Sequence, residues 1–227
     1  MVTATQATRL HDDVADVAAR AANDLANGYD LAALAERQAY ATLFDVVPDV
    51  VVSYGEAAAA IAADWYDEVR DGDRIPGRFV TAPADLADVR VEPLVGWAES
   101  TATTPGAFEV LLLDGLQTRV ADWARQTIIG SSLADPGADG WQRVASTTAC
   151  AFCRMLAGRG AVYSEARVDF AAHDKCLCSA TPAFGGQPRP VKPYTPTNRY
   201  PDTDEGRARH AADLERARDW LKAHGLT

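Results

Sequence analysis

The sequence predicts a mainly α protein: a helical N-terminal domain over residues 1–140, a small irregular α+β unit over residues 141–184, and an extended strap and terminal helix over residues 185–227. Three observations predict it. Apolar residues recur at three-and-four spacing through most of the first 130 positions, the four cysteines all fall between Cys150 and Cys178, and glycine and proline crowd residues 185–201.

The first helix is expected over about 6–26, where Leu10, Val14, Val17, Ala18, Ala21 and Leu25 share one face before Asn27 and Gly28 stop it. Asp30 reads as the cap of a second helix through Leu31, Leu34, Leu43, Phe44 and Val47, ending at Pro48, which lacks a backbone donor. The alanine-rich run that follows, with Ile61, Trp65 and Val69 on one face, predicts a third helix ending near Gly72. Gly72, Pro76, Gly77, Pro83, Pro93, Pro105 and Gly106 leave room only for a connector with a short helix around 85–99. Phe108, Leu111, Leu112, Gly115, Leu116, Val120 and Trp123 then carry the strongest periodicity. That helix should run to about residue 129, on the order of 34 Å, and serve as the spine of the domain, with Gly130 as its stop. At the end of the chain Asp202 or Thr203 caps a helix to about 224 whose narrow stripe of Leu214, Ala217 and Leu221 needs a partner surface.

Composition bounds the function. With 227 residues, 48% hydrophobic and 24% charged, the chain holds enough apolar mass for one full core or two small ones, which excludes disorder throughout. The mean hydropathy is −0.17 and there is no run of 18 or more apolar residues, so no helix is expected to cross a bilayer. The opening MVTATQATRLHDDVADVAAR lacks the basic start and apolar stretch of a secretory signal, and no export is expected. Net charge is −10, but unevenly spread: −14 over residues 1–140 and +4 over 141–227. A coat for nucleic acid needs many closely placed Lys and Arg, so only the C-terminal third could approach DNA, and weakly.

The chemistry is concentrated in Cys150-x-x-Cys153 and, twenty residues later, His173-x-x-Cys176-x-Cys178. A disulfide framework would spread its cysteines and accompany export, whereas thiolates and an imidazole at this spacing suit structural zinc, which takes four such ligands tetrahedrally. Five donors compete for four places, and Cys176 and Cys178 are equally eligible beside His173. A unit of roughly 44 residues buries little surface, so a metal worth about 10 to 16 kcal/mol in small zinc modules could decide whether it folds. A catalytic zinc would keep an open position beside an acid. The nearest acids are Glu165, Asp169 and Asp174, and no H-E-x-x-H or H-x-E element occurs.

Trp141, Phe152, Met155 and Leu156 read as the core of this unit, and Gly158 and Gly160 as the stop of a short helix after Cys153. Arg143, Arg154, Arg159 and Arg167 form either a solvated face or contacts to phosphate or to a partner's carboxylates. There is no G-x-S-x-G elbow and no G-x-x-x-x-G-K-[ST] phosphate loop.

The segment GWQRVASTTACAFCRMLAGRGAVYSEARVDFAAHDKCLCSATPAF resembles the C-terminal signature of the Mu F-like minor head (minor capsid) proteins of tailed bacteriophages, in particular the group found in phages of actinobacteria. The resemblance rests on Trp141, Arg143 and Val144, on the run from Cys150 to Tyr163, and on His173 to Pro182. IAADWYDEVR (Ile61 to Arg70) and ARQTI (Ala124 to Ile128) extend it to roughly residues 35–184. It implies a protein present in few copies inside the capsid at the portal vertex, in contact with portal and with major capsid or scaffold protein during head assembly, DNA packaging or ejection. Its zinc ligands would fall on Cys150, Cys153, His173 and Cys176 or Cys178. Some relatives are maturation proteases or are fused to one, so cleavage of scaffold or capsid protein is the alternative activity. A zinc-binding nucleic-acid module outside any virus is a third. The expectation is a non-enzymatic assembly protein in the virion or, during assembly, in the host cytoplasm, without membrane partners.

Overall fold

The computed structural model describes residues 2–85, 91–145, 149, 151–158, 160, 162–163, 178–186 and 203–223. The chain is mainly helical with a small sheet, in the order α1 (Ala4–Gly28), α2 (Leu31–Glu36), α3 (Ala41–Gly72), α4 (Glu92–Thr101), α5 (Pro105–Ala134), β1 (Gly140–Val144), α6 (Ala151–Gly158), β2 (Val162–Tyr163), β3 (Ser179–Ala183) and α7 (Asp204–Ala223).

Helix α1 opens on a capping box. The Thr3 hydroxyl accepts from the Gln6 N–H at 3.2 Å, and the Gln6 side chain accepts from the Thr3 N–H at 2.9 Å. Its expected face is the buried one, with Leu10, Val14, Ala18, Ala21 and Leu25 all out of solvent. Asp30 caps α2 as expected, but α2 ends at Glu36, not at Pro48. Gln38 takes a left-handed φ of 52°, its N–H reaches the Ala35 carbonyl at 3.1 Å, and the Ala39 N–H reaches the Leu34 carbonyl at 2.9 Å. This double closure reverses the chain without glycine.

Pro48 lies inside α3, which corrects the expected stop. A proline forfeits one intrahelical bond and crowds the preceding turn. The burial of Leu43, Val47 and Val51 on either side of it outweighs that loss. A window of α3 reaches a mean hydropathy of 1.4, so by length and composition this helix is apolar enough to span a bilayer, which the lack of an unbroken apolar run did not reveal. In the fold it is a core helix packed between α1 and α5. It ends like α2, with Arg74 at φ 54° and the Ile75 N–H on the Arg70 carbonyl at 3.2 Å.

Helix α5 is the spine, touching α1, α2, α3, α4, β1 and β3. Thr104 caps it, Pro105 occupies its first turn, and it continues through Gly130, where a stop was expected. Ser131 and Ser132 are buried there, and the Ser132 hydroxyl donates to the Ile128 carbonyl at 2.7 Å, so the next turn is held despite the glycine. Tyr40 packs on Phe108 with ring centroids 5.5 Å apart, and Gly55 lies under the Trp123 indole. These pairs put α3 and α5 parallel, so residues 73–104 must carry the chain back along their length. Helix α4 lies on that return, Leu94 seated over Gly115.

The sheet is antiparallel in the order β2-β1-β3, with Trp141 opposite Tyr163 and Arg143 opposite Ala180. Gly140 has a φ of 139°, and a Cβ there would collide with the Tyr163 carbonyl. All five residues of β3 are buried, against α5 and α1. The packed core runs from Leu10 and Leu25 through Leu112 and Ile128 to Trp141, Cys153, Cys178 and Ala180. Helix α6 packs on β1, and α7, capped by Thr203, packs on α6.

Candidate metal centre and its mounting

Of the five expected donors, the structure describes Cys153, on α6, and Cys178, immediately before β3. Cys150, His173 and Cys176 lie outside the described residues. Both described thiols are out of solvent, Cys153 at 1% and Cys178 at 2% exposure, and both belong to the one packed core. Among the described residues, no three His, Cys, Asp or Glu side chains are grouped closely enough to hold a metal ion.

Arg143, on β1, is buried at 7% exposure, whereas Arg154, on α6, faces solvent; Arg159 and Arg167 lie outside the described residues. Trp141 stacks on Tyr163 at 4.7 Å between centroids, and Met155 and Leu156 are half-buried on α6. Gly160, at φ 55°, closes α6 with its N–H on the Ala157 carbonyl at 3.0 Å.

Two buried arginines that the sequence reading passed over tie this unit to the helices. Arg125, on α5, is 2% exposed. Its Nε donates to the Cys178 carbonyl at 2.8 Å, and its Nη1 pairs with Asp122 and reaches the Thr118 carbonyl at 3.4 Å. Beside it Leu10, Val14, Ala124, Ile128, Cys178 and Ala180 line a cavity of about 10 Å³, room for one water at most.

Arg70, at the end of α3, makes a fork to Asp135, just past α5, with Nε 2.8 Å from Oδ2 and Nη2 3.3 Å from Oδ1. Its remaining donors hold the carbonyls of Ile75, Pro76 and Gly77 at 2.9 to 3.2 Å. Asp135 also accepts from the Tyr66 hydroxyl at 3.2 Å and from the Gly137 N–H at 2.8 Å. Tyr66 contacts Phe79 and Phe184, each at 5.9 Å between centroids, so this knot joins both long helices, the connector and the chain leaving β3.

The electrostatics follow from the contacts. Burial pushes the Asp135 carboxyl up, but the hydrogen bonds from Arg70 and the Gly137 amide outweigh it and hold the group below its ordinary value. The bond to Asp135 raises Arg70, and burial followed by the neighbouring Asp135 charge pushes the Tyr66 phenol well above its ordinary range. The signal that could have found both arginines is an ion on an apolar stripe: Arg70 follows Trp65, Tyr66 and Val69, and Arg125 sits among Ala121, Ala124 and Ile128.

Segments that carry the phage resemblance therefore touch in pairs: Arg125 of one holds the Cys178 carbonyl of another, and Arg143 of a third lies opposite Ala180. Compared with known families, the chain matches the VG15 protein family over residues 1–203. It belongs to the VG15 family. This is a phage gene-product family, in agreement with the phage origin that the resemblance implies and consistent with a place in the virion or the host cell. No curated protein and no solved structure matches the chain. The VG15 match takes in α1 to β3, both buried arginine knots and all five candidate donors, and it stops one residue before α7.

Proposed function

We propose that this VG15 protein is a minor capsid, or head-morphogenesis, protein of the Mu F-like kind, acting by binding the portal vertex and capsid interior during head assembly, DNA packaging or ejection. One observation carries the reading: two of the separate motifs that resemble the minor head proteins meet in a buried contact, Arg125 on the Cys178 carbonyl at the start of β3, while Arg70 of a third is buried on Asp135. A signature spent on internal architecture suits a protein that works by presenting a rigid surface.

The cysteine-rich unit belongs to the same proposal. Cys150, Cys153, His173 and one of Cys176 and Cys178 would hold a structural zinc. The donor chemistry fits, since Cys153 and Cys178 come from different parts of the chain yet are both buried in one core. The ion would supply cross-linking of chain segments. Among the described members of the expected basic set, Arg154, exposed on α6, is the one placed to meet an acidic partner or DNA phosphate. Co-purification with portal protein tests the role: wild type should be retained and Cys150→Ser lost, and equal recovery of both would count against docking through this unit.

A further inference from the structure

We infer that α6 carries a docking surface for an amphipathic helix, and that this chain's own α7 is its built-in occupant, released when a partner protein offers a helix of the same make. The inference goes beyond the capsid role and needs no metal.

Helix α7 is equipped to stay helical by itself. The Thr203 hydroxyl accepts from the Gly206 N–H at 3.1 Å, and the Thr203 carbonyl from the Arg207 N–H at 2.9 Å. Asp204 and Glu205 stand in its first turn and Lys222 in its last, the order that the helix dipole favours. Arg207 pairs with Asp204, Arg209 with Glu205 and Arg216 with Asp213, each about one turn apart on the same helix. Five acids and five Lys or Arg over residues 204–223 leave it without net charge.

Its hold on the rest of the protein is narrow. Among the described residues of α7 all but Gly206, Ala212 and Asp213 are exposed, and none belongs to the packed core. Its packing is on α6. The VG15 match likewise closes at residue 203. A helix attached by so little buried surface opens at lower cost than the core, and ion pairs within one helix survive its detachment. Residues 187–202 lie outside the described residues, but sixteen residues can span up to about 55 Å, so α7 can leave its seat with β3 in place.

The seat does not depend on α7, because α6 also packs on β1. Over Ala151–Gly158 the one charged residue is Arg154, which is exposed, while Met155, Leu156 and Ala157 are half-buried with α7 in place. A seat with so little charge selects its occupant by an apolar stripe. What it accepts within the chain, a neutral helix with a narrow stripe and self-paired charges, is what it takes from a partner. While α7 is seated, the affinity for that partner falls by the fraction of molecules whose seat is open.

The probe is a fluorescent synthetic peptide of residues 203–227, and its anisotropy reports binding to the full chain. Wild type should bind it at least about tenfold more weakly than Ala212→Pro, which breaks α7, or Leu221→Glu, which puts a charge on the apolar stripe. A peptide carrying both Leu214→Glu and Leu221→Glu should not bind. In wild type the α7 amides should exchange with deuterium together and faster than those of α5, and the main thermal transition should be the same in both variants as in wild type. Equal peptide binding by wild type and both variants would overturn the inference, as would α7 amides protected like those of α5, or loss of the main transition in both variants. Binding abolished by moderate salt, the mark of plain ionic attraction, would overturn it too. So would a wild type that is dimeric and turns monomeric in Ala212→Pro, because α7 would then serve a second copy.

Discussion

Arg70 and Asp135 pair out of solvent, Nε to Oδ2 at 2.8 Å, and lock the ends of the two longest helices together. Because both ions are desolvated, removing one strands the other. Asp135→Ala is expected to destabilise the fold by about 3–5 kcal/mol, while the double variant Arg70→Met, Asp135→Leu should recover much of that loss. Urea unfolding of the three proteins checks it, and a single-variant loss under about 1 kcal/mol would show the pair to be dispensable.

The same knot sets opposite pH limits. The Asp135 carboxyl is held below its ordinary value, so the unfolded chain binds more protons than the native one; its contribution is complete above the usual carboxylate range near pH 4 and is lost as pH falls through the lowered native value. Tyr66 is raised, so its contribution is present below about pH 10 and is lost as pH climbs through the native value. Melting temperature against pH should therefore show a shallower acid limb in Asp135→Asn and a shallower alkaline limb in Tyr66→Phe. Unchanged limbs would detach the knot from the pH response.

Two helical glycines should respond in opposite directions to alanine. At Gly55 a Cβ would collide with the Trp123 indole, so Gly55→Ala should cost about 1–3 kcal/mol despite the better helix propensity. At Gly130 nothing lies within 4 Å, and Gly130→Ala should stabilise by about 0.5–1 kcal/mol. Thermal unfolding of both variants decides it, and the same sign for both would contradict the close approach of α3 and α5.

If the cysteine unit holds zinc, a strong chelator should release about one ion per chain and lower the melting temperature while most of the helical circular dichroism persists, because α1 to α5 supply most of the one packed core. Elemental analysis before and after treatment gives the stoichiometry. A melting curve indifferent to chelator, from protein shown to contain the ion, would mean that the metal contributes nothing to the fold.

What the sequence made legible follows from what each element depends on. The faces of α1 and α5 were readable because local periodicity and burial agree, as at Leu10 and Val14 or Leu112 and Leu116. Pro48 and Gly130 misled because their rules describe isolated helices, while here buried neighbours on both sides carry the helix past them. The left-handed closures at Gln38 and Arg74 left no trace, since neither residue type advertises that conformation. Arg70 with Asp135 and Arg125 with Cys178 join positions 65 and 53 residues apart, which no local pattern reports. The spacing of Cys150, Cys153, His173, Cys176 and Cys178 stands out in the sequence; the hold of Arg125 on the Cys178 carbonyl does not.

The parallel course of α3 and α5 shapes how the chain must assemble. Tyr40 with Phe108, Gly55 with Trp123 and Tyr66 with Asp135 all enclose loops of nearly equal length, about 68 residues, so the pair cannot zip from a hairpin the way α1 and α3 can, whose contacts narrow from 59 residues at Gln6 and Trp65 to 30 at Asp24 and Tyr54. The entropy of closing that long loop falls on the first α3–α5 encounter alone, and later contacts add almost nothing to it. Assembly should accordingly begin with the antiparallel pair and reach its slow step when the spine helix arrives.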